Sequence, residues 1–217
     1  KKIHNHVPSS YAVILCSRSG SERLPDKGLV SYCPDGTPNI VQIIRRWQLS
    51  RRSPLIIAAV PDTPESNELT AVCALAGVPV YRGSEADVVG RMDGAVKAYA
   101  PGAKYVARAM ADNPLVNIPL TDWRLDTLEN TGADGLWYGA EHYKITYAAT
   151  TDVWSRAAWD RIAAESSGSQ REHAGSYYWD NLSKFSVVNF PAPPREYMLR
   201  FRTELDTEAD LDVFNAV

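Results

Sequence analysis

The run Tyr11-Ala12-Val13-Ile14-Leu15 passes directly into Cys16-Ser17-Arg18-Ser19-Gly20-Ser21-Glu22-Arg23-Leu24-Pro25-Asp26-Lys27. A continuous apolar run bounded by small and polar residues reads as a strand buried on both faces. Strands of that kind belong to parallel sheets covered by helices, so this junction already argues for an α/β fold. The loop after it is unusual. Gly20 and the serines let backbone N–H groups approach an anion closely, and Arg18, Arg23 and Lys27 supply positive charge. A strand emptying into such a loop suits a polyphosphate; on composition alone, a solvated basic loop is an equal reading.

Strand and helix signals alternate downstream. Ile40, Ile43, Ile44 and Trp47 form the stripe of an amphipathic helix, and Leu55-Ile56-Ile57-Ala58-Ala59-Val60 is a second buried strand. Thr63-Pro64 opens a helix that buries Leu69, Val72, Cys73 and Ala76 and stops at Gly77. After a short strand at Pro79-Val80-Tyr81, Ser84-Glu85-Ala86-Asp87 has capping-box spacing before a helix burying Val88, Met92, Ala95, Val96 and Tyr99. Residues 104–110 form another strand, followed by a loop with Asp112. The expected fold is therefore α/β, a mainly parallel sheet flanked by helices on both faces. Its ligand site should lie beyond the carboxyl ends of the strands, where the Arg18–Lys27 and Asp112 loops emerge.

The second half is less regular. Strands are expected at 134–138 and 151–154, a helix at 156–164, and a flexible connection at 166–169. A helical, aromatic-rich segment follows at 171–182. Pro191-Ala192-Pro193-Pro194 breaks the chain before an extended Met198-Leu199-Arg200-Phe201. No repeat or linker divides the chain, so one domain spans 1–217, with an elaboration around 140–200.

Composition narrows the function. The chain has 217 residues, 45% of them hydrophobic and 23% charged, which suits a globular domain with a full core. A net charge of −3 argues against a nucleic-acid partner but leaves room for a small anion on a local cationic cluster. No apolar run approaches the ~20 residues of a membrane span. Cys16, Cys33 and Cys73 are odd in number and widely spaced, which favours a reducing, cytoplasmic setting over disulfides or zinc. Lys1 is not a methionine and Val217 falls inside an apparent helix, so either a trimmed chain or one domain of a longer polypeptide is expected.

Five stretches occur in a recognisable order: R-x-G-S-x-R-L-P-x-K at 18–27, R-G-S-x-x-D-V-x-x-R at 82–91, Asp112-Asn113-Pro114, Arg171-Glu172-His173, and Leu205-Asp206-Thr207. Together they resemble the cytidylyltransferases: CMP-Kdo synthetases, CMP-acylneuraminate synthetases and, nearest of all, the spore-coat polysaccharide enzymes. The resemblance covers nearly the whole chain. It implies a nucleotide-diphosphosugar-transferase (GT-A-like) fold, a homodimer formed partly through the elaboration, and Mg²⁺-dependent transfer of CMP from CTP to a small acidic acceptor. That acceptor would be a sugar acid, or a phosphonate or phosphate. Competing expectations are another NTP used with a sugar phosphate, and a non-catalytic nucleotide-binding module.

By the same resemblance, Arg18, Lys27, Asp112 and Asp206 carry the catalysis, with Asp112 and Asp206 as the Mg²⁺ ligands. Ser17, Arg18, Gly20, Ser21, Arg23, Lys27, Arg82, Ser84, Asp87 and Asp112 bind the nucleotide, with Arg91 in the same motif. Arg108, Asp152, Arg171, Glu172, His173 and Tyr177 face the acceptor. Several have a plainer alternative. Asp112 can start a turn, Asp206 can cap the helix near Thr207, and Ser84 and Asp87 can cap theirs. His142, Tyr143, Lys144, Tyr177 and Trp179 suit an acceptor pocket or a dimer interface equally. The chain departs from the family pattern at Cys16-Ser17, Met110, Ala111 and Asn113. No residue stands out as a general base.

Overall fold

The computed structural model describes residues 10–18, 20, 23–137, 151–189 and 203–216. Strand β1 (Tyr11–Cys16) is buried along nearly its whole length. Its side chains alternate, so Tyr11, Val13 and Leu15 enter one core while Ala12 and Ile14 enter another on the opposite face. A two-sided core is what an unbroken apolar strand requires.

β1 pairs in parallel with β2 (Leu55–Pro61) on one side and with β4 (Tyr105–Met110) on the other. β3 (Val80–Gly83) extends the sheet in parallel beyond β2, and β6 (Val153–Ser155) closes it antiparallel to β4. The order is β3-β2-β1-β4-β6. The first three strands step one way across the sheet and β4 returns to the far side of β1. Chains leaving β1 and β4 therefore diverge and open a crevice at their carboxyl ends. Cys16 pairs with Met110, so both exit loops start at the same level.

Helices α1 (Asn39–Trp47), α2 (Asn67–Leu75) and α4 (Ile118–Thr131) contribute to the first core. Ile40, Ile43, Ile44 and Trp47 are all buried there, each worth about 1.5–3 kcal/mol of transfer free energy. Helices α3 (Val88–Tyr99), α5 (Arg156–Glu165) and α6 (Ser176–Asp180) contribute to the second. A separate parallel pair, β5 (Gly135–Trp137) and β7 (Val187–Asn189), joins this frame where the Asp134 carbonyl accepts from Ser155 N–H. The terminal helix α7 (Glu208–Asn215) buries none of its residues. Among the described residues no helix is long and apolar enough to cross a membrane.

Several local expectations are revised. Pro64–Ser66 is a 3-10 turn preceding α2, and Thr63 makes no side-chain cap. Helix α3 is capped by Asp87, which accepts from Gly90 N–H, whereas Ser84 accepts from Asp87 N–H one turn earlier. Tyr99 is 43% exposed because its hydroxyl reaches out to the Val80 carbonyl. The stretch expected to be flexible enters a 3-10 turn, Gly168–Arg171, closed by a Ser167–Gln170 capping box. Helix α4 had no expectation at all. Its buried face carries Thr121, Asp122 and Arg124, which break the apolar stripe.

Candidate active site

The crevice between the β1 and β4 exits is a cavity of about 650 Å³. Arg18, Arg23, Lys27, Arg91 and Arg108 bring positive charge to it, and Asp112, Asp206 and Glu172 bring negative charge. Ser17, Gly20 and His173 complete the polar lining. These residues come from five stretches of chain, and the fold explains how the central ones arrive.

The basic loop leaves β1 at Ser17 and folds back onto the start of α1. Asn39 N–H donates to the Val30 carbonyl and Ile40 N–H to the Gly28 carbonyl. The first N–H groups of α1 are thus spent on the loop itself, which fixes the loop's path. Gly28 fits closely there: a Cβ would lie 2.9 Å from Ser17 Oγ and 3.1 Å from Leu69 Cδ1. Lys27 is thereby aimed into the cavity.

The Asp112 loop continues from β4, with Ala111 N–H donating to the Cys16 carbonyl. The segment carrying Asp206 is pinned on the other side by Leu205 N–H donating to the Asp112 carbonyl at 2.8 Å. Asp206 is not the cap of α7. Thr207 caps it, and Asp210 accepts from both Asp206 N–H and Thr207 N–H. Freed from capping, the Asp206 carboxylate points at the cations. Lys27 Nζ lies 2.6 Å from Asp206 Oδ1 and 3.5 Å from Asp112 Oδ2, and Arg23 reaches Asp206 Oδ2 at 2.5 Å.

Asp206 is only 2% exposed, so Lys27 and Arg23, rather than bulk water, meet its carboxylate oxygens. Burial pushes the Asp112 carboxyl above its usual value; Lys27 pulls it back, while the neighbouring charge of Asp206 raises it further. The ammonium marks a point that two carboxylates already make favourable for a cation. Among the described residues no cluster of three or more His, Cys, Asp or Glu could hold a metal alone. Two carboxylates at the wall of this cavity nonetheless suit Mg²⁺, which typically takes one or two carboxylates and fills its remaining positions with phosphate oxygens and water.

On the opposite wall, burial lowers the Arg91 pKa, and its guanidinium is anchored by the Ser84 and Glu85 carbonyls. Arg108 donates to the Ala174 carbonyl at 2.8 Å. Among the described residues, Arg91 Nε, Arg108 Nε and Ser17 Oγ are buried without a hydrogen-bond partner. Such atoms at a cavity wall are where ligand polar atoms are expected.

The cavity gathers Ser17, Arg18, Gly20, Arg23, Lys27, Arg108, Asp112, Glu172, His173 and Asp206 from the sequence-predicted set. Others are placed outside its lining. Arg82 is engaged by Asp62, Asn67, Thr70 and the Thr63 carbonyl. Asp87 caps α3 and pairs with Arg171 at 2.6 Å, and Arg171 also donates to the Ala163 carbonyl. Ser84 serves the turn before α3. Tyr177 is buried against Phe185 with its hydroxyl on Glu165, Asp152 accepts from Arg108 N–H through its carbonyl, and Trp179 packs on Trp137 and Tyr178. Ser21, His142, Tyr143 and Lys144 lie outside the described residues. Cys16, Val88, Met110 and Ala111 also line the cavity. Their position at the strand ends, or the helix start facing them, was the available signal.

A family model described as cytidylyltransferase matches residues 12–211. An uncharacterised protein of Methanocaldococcus jannaschii is 31% identical over 209 residues, covering 93% of this chain and 80% of that protein. The spore coat polysaccharide biosynthesis protein SpsF of Bacillus subtilis is 26% identical, covering 94% and 84%. The structure of a cytidylyltransferase from Leptospira borgpetersenii superposes with a TM-score of 0.84 at 20% identity, covering 95% of this chain and 85% of that one.

Proposed function

This chain belongs to the cytidylyltransferase family, and we propose that it transfers CMP from CTP to a small acidic acceptor, with a divalent cation, preferably Mg²⁺, as cofactor. The observation that carries this reading is the meeting of Arg23, Lys27, Asp112 and Asp206 in one cavity, although Lys27 and Asp206 stand 179 residues apart in sequence.

In the transfer, an acceptor oxygen forms a bond to the α-phosphorus while the bond from that phosphorus to the bridging pyrophosphate oxygen breaks. Negative charge gathers on the leaving pyrophosphate. Arg18, Arg23 and Lys27 would bind it, the arginines through forked contacts and the lysine as a point charge. Fixed donors of this kind stabilise charge without reorganising at the moment of reaction. Asp112 and Asp206 would hold the metal, which when bound neutralises phosphate oxygens and orients the α-phosphate. Glu172, His173 and Arg108 line the same cavity and would bind the acceptor, Arg108 favouring an anionic one.

The test is pyrophosphate release by the full chain with CTP, Mg²⁺ and a panel of sugar acids, phosphonates and phosphates. ATP, GTP and UTP run in parallel with sugar phosphates. Turnover with CTP and at least one acidic acceptor is expected. Turnover confined to a purine nucleotide, or CTP binding without turnover on any acceptor, would overturn the reading.

A further inference from the structure

Asn39 is the first residue of α1 and is fully buried, an uncommon place for a primary amide. It does not cap the helix, whose N-cap is Pro38. Its Nδ2 instead donates to two carbonyls from distant parts of the chain, 2.9 Å to Lys27 and 2.6 Å to Ala111. Its Oδ1 accepts from the Tyr32 hydroxyl at 3.3 Å.

Those two carbonyls belong to the backbones that carry the cavity's central charges. Lys27 supplies the ammonium between the two carboxylates, and Ala111 immediately precedes Asp112. The third bond extends the link. The Tyr32 ring lies 5.0 Å from that of Phe214 on α7, the helix that follows Asp206. One buried amide therefore ties together the loop after β1, the loop after β4 and, through Tyr32, the terminal segment. An apolar side chain at this position would fill the core but leave the Lys27 and Ala111 carbonyls without these donors.

We propose that Asn39 is a positioning residue for nucleotidyl transfer, holding the backbones of Lys27 and Asp112 at the separation from which both side chains address one triphosphate. The inference rests on the CTP-dependent reading above. Asn39 is not among the residues lining the cavity, so it acts through its two neighbours and touches no substrate.

The experiment is a double-mutant cycle in the full chain with Asn39→Ala, Lys27→Ala and both together. CTP affinity is read by calorimetry, and kcat and KM by pyrophosphate release. Asn39→Ala is expected to raise the CTP Kd and KM about tenfold, with the acceptor KM within about twofold of wild type. In the Lys27→Ala background the same change should add less than about twofold, because the position of an absent ammonium no longer matters. Fully additive losses, or unchanged CTP affinity in a folded Asn39→Ala, would overturn the proposal. Should Asn39→Ala fail to fold, Tyr32→Phe keeps the ring contact with Phe214 and removes only the bond to Oδ1. It should weaken CTP binding in the same direction, and wild-type affinity there counts against the proposal. A wild type that neither binds CTP nor releases pyrophosphate overturns the transfer reading itself; an active wild type matched by Asn39→Ala overturns only the role of Asn39.

Discussion

Lys27 Nζ sits 2.6 Å from Asp206 Oδ1, joining the first loop of the sheet to a segment 179 residues later. Both side chains are largely out of water, so the contact is both a structural cross-link and the electrostatic centre of the cavity. Removing the lysine leaves the mostly exposed Arg23 as the ion pair to Asp206.

Lys27→Ala should therefore lower stability by about 2 kcal/mol, below the usual cost of breaking a buried pair because Arg23 remains. Turnover should fall on the order of 10²–10³-fold, the loss expected for one fixed donor to developing charge. Denaturant melts and pyrophosphate release measure the two effects separately.

Asp112→Asn should behave differently. Burial and the charge of Asp206 disfavour the ionised Asp112, so a neutral amide relieves that penalty while Lys27 keeps Asp206. The ligand-free protein should melt at the same temperature or higher, and CTP turnover should drop at least ~10²-fold. A clear fall in melting temperature would contradict this account of the charge balance.

Gly28→Ala places a Cβ 2.9 Å from Ser17 Oγ and 3.1 Å from Leu69 Cδ1. Relief requires Ser17 Oγ and the Leu69 methyl to turn aside, or the loop to shift. Overpacking of this sort costs about 1–3 kcal/mol, and the CTP KM should rise because Lys27 is carried with the loop. Kinetics at saturating acceptor provide the check.

The Asp87–Arg171 pair predicts an acid limb. Desolvation alone would raise the Asp87 pKa, but the Arg171 hydrogen bond, the Gly90 N–H and the charges of Arg171 and Arg91 outweigh it, leaving the pKa below its usual 3.8. A carboxyl lowered on folding contributes stability that is fully present above pH 3.8 and is lost as pH falls through the folded value. Asp87→Asn keeps an acceptor for Gly90 but loses the charge. Its stability, followed by urea titration from pH 7 to 3, should fall less steeply at the acid end than wild type.

Arg82→Ala tests a motif residue that the fold holds away from the cavity. Its guanidinium is engaged by Asp62, Asn67, Thr70 and the Thr63 carbonyl. The variant should melt earlier while its CTP KM stays within about twofold, since lost packing and hydrogen bonds away from the ligand act on stability alone.

How far the sequence reveals this molecule depends on which physical signal each part leaves. The parallel frame was legible because buried strands such as β1 are continuous apolar runs, and α1 shows an uninterrupted stripe. Helix α4 was not legible, because Asp122 and Arg124 sit on its buried face, where Ser50 Oγ and the Thr151 carbonyl meet them. That Lys27, Asp112 and Asp206 belong to one cluster was legible from their motifs, and the structure brings the three together. Their support was not legible. Asn39 follows a proline at a helix start and looks like any polar boundary residue, and only three-dimensional contact shows its amide on Lys27 and Ala111. The motif around residues 82–91 misleads for a related reason: a short stretch contains both Arg91, which lines the cavity, and Arg82, which serves α2.

During synthesis, the four parallel strands emerge from the ribosome well before the terminal segment. A nascent chain that has built its sheet still lacks Asp206, and α7, with no buried residue, adds little apolar drive to bring it in. Docking of that segment draws on the fully buried Leu205 side chain, the Leu205 N–H bond to the Asp112 carbonyl, the lysine and arginine contacts to Asp206, and the Phe214–Tyr32 ring contact. On the proposed role of Asp206, the metal site is completed only once this last segment has docked, after the sheet that carries Lys27 and Asp112 has formed.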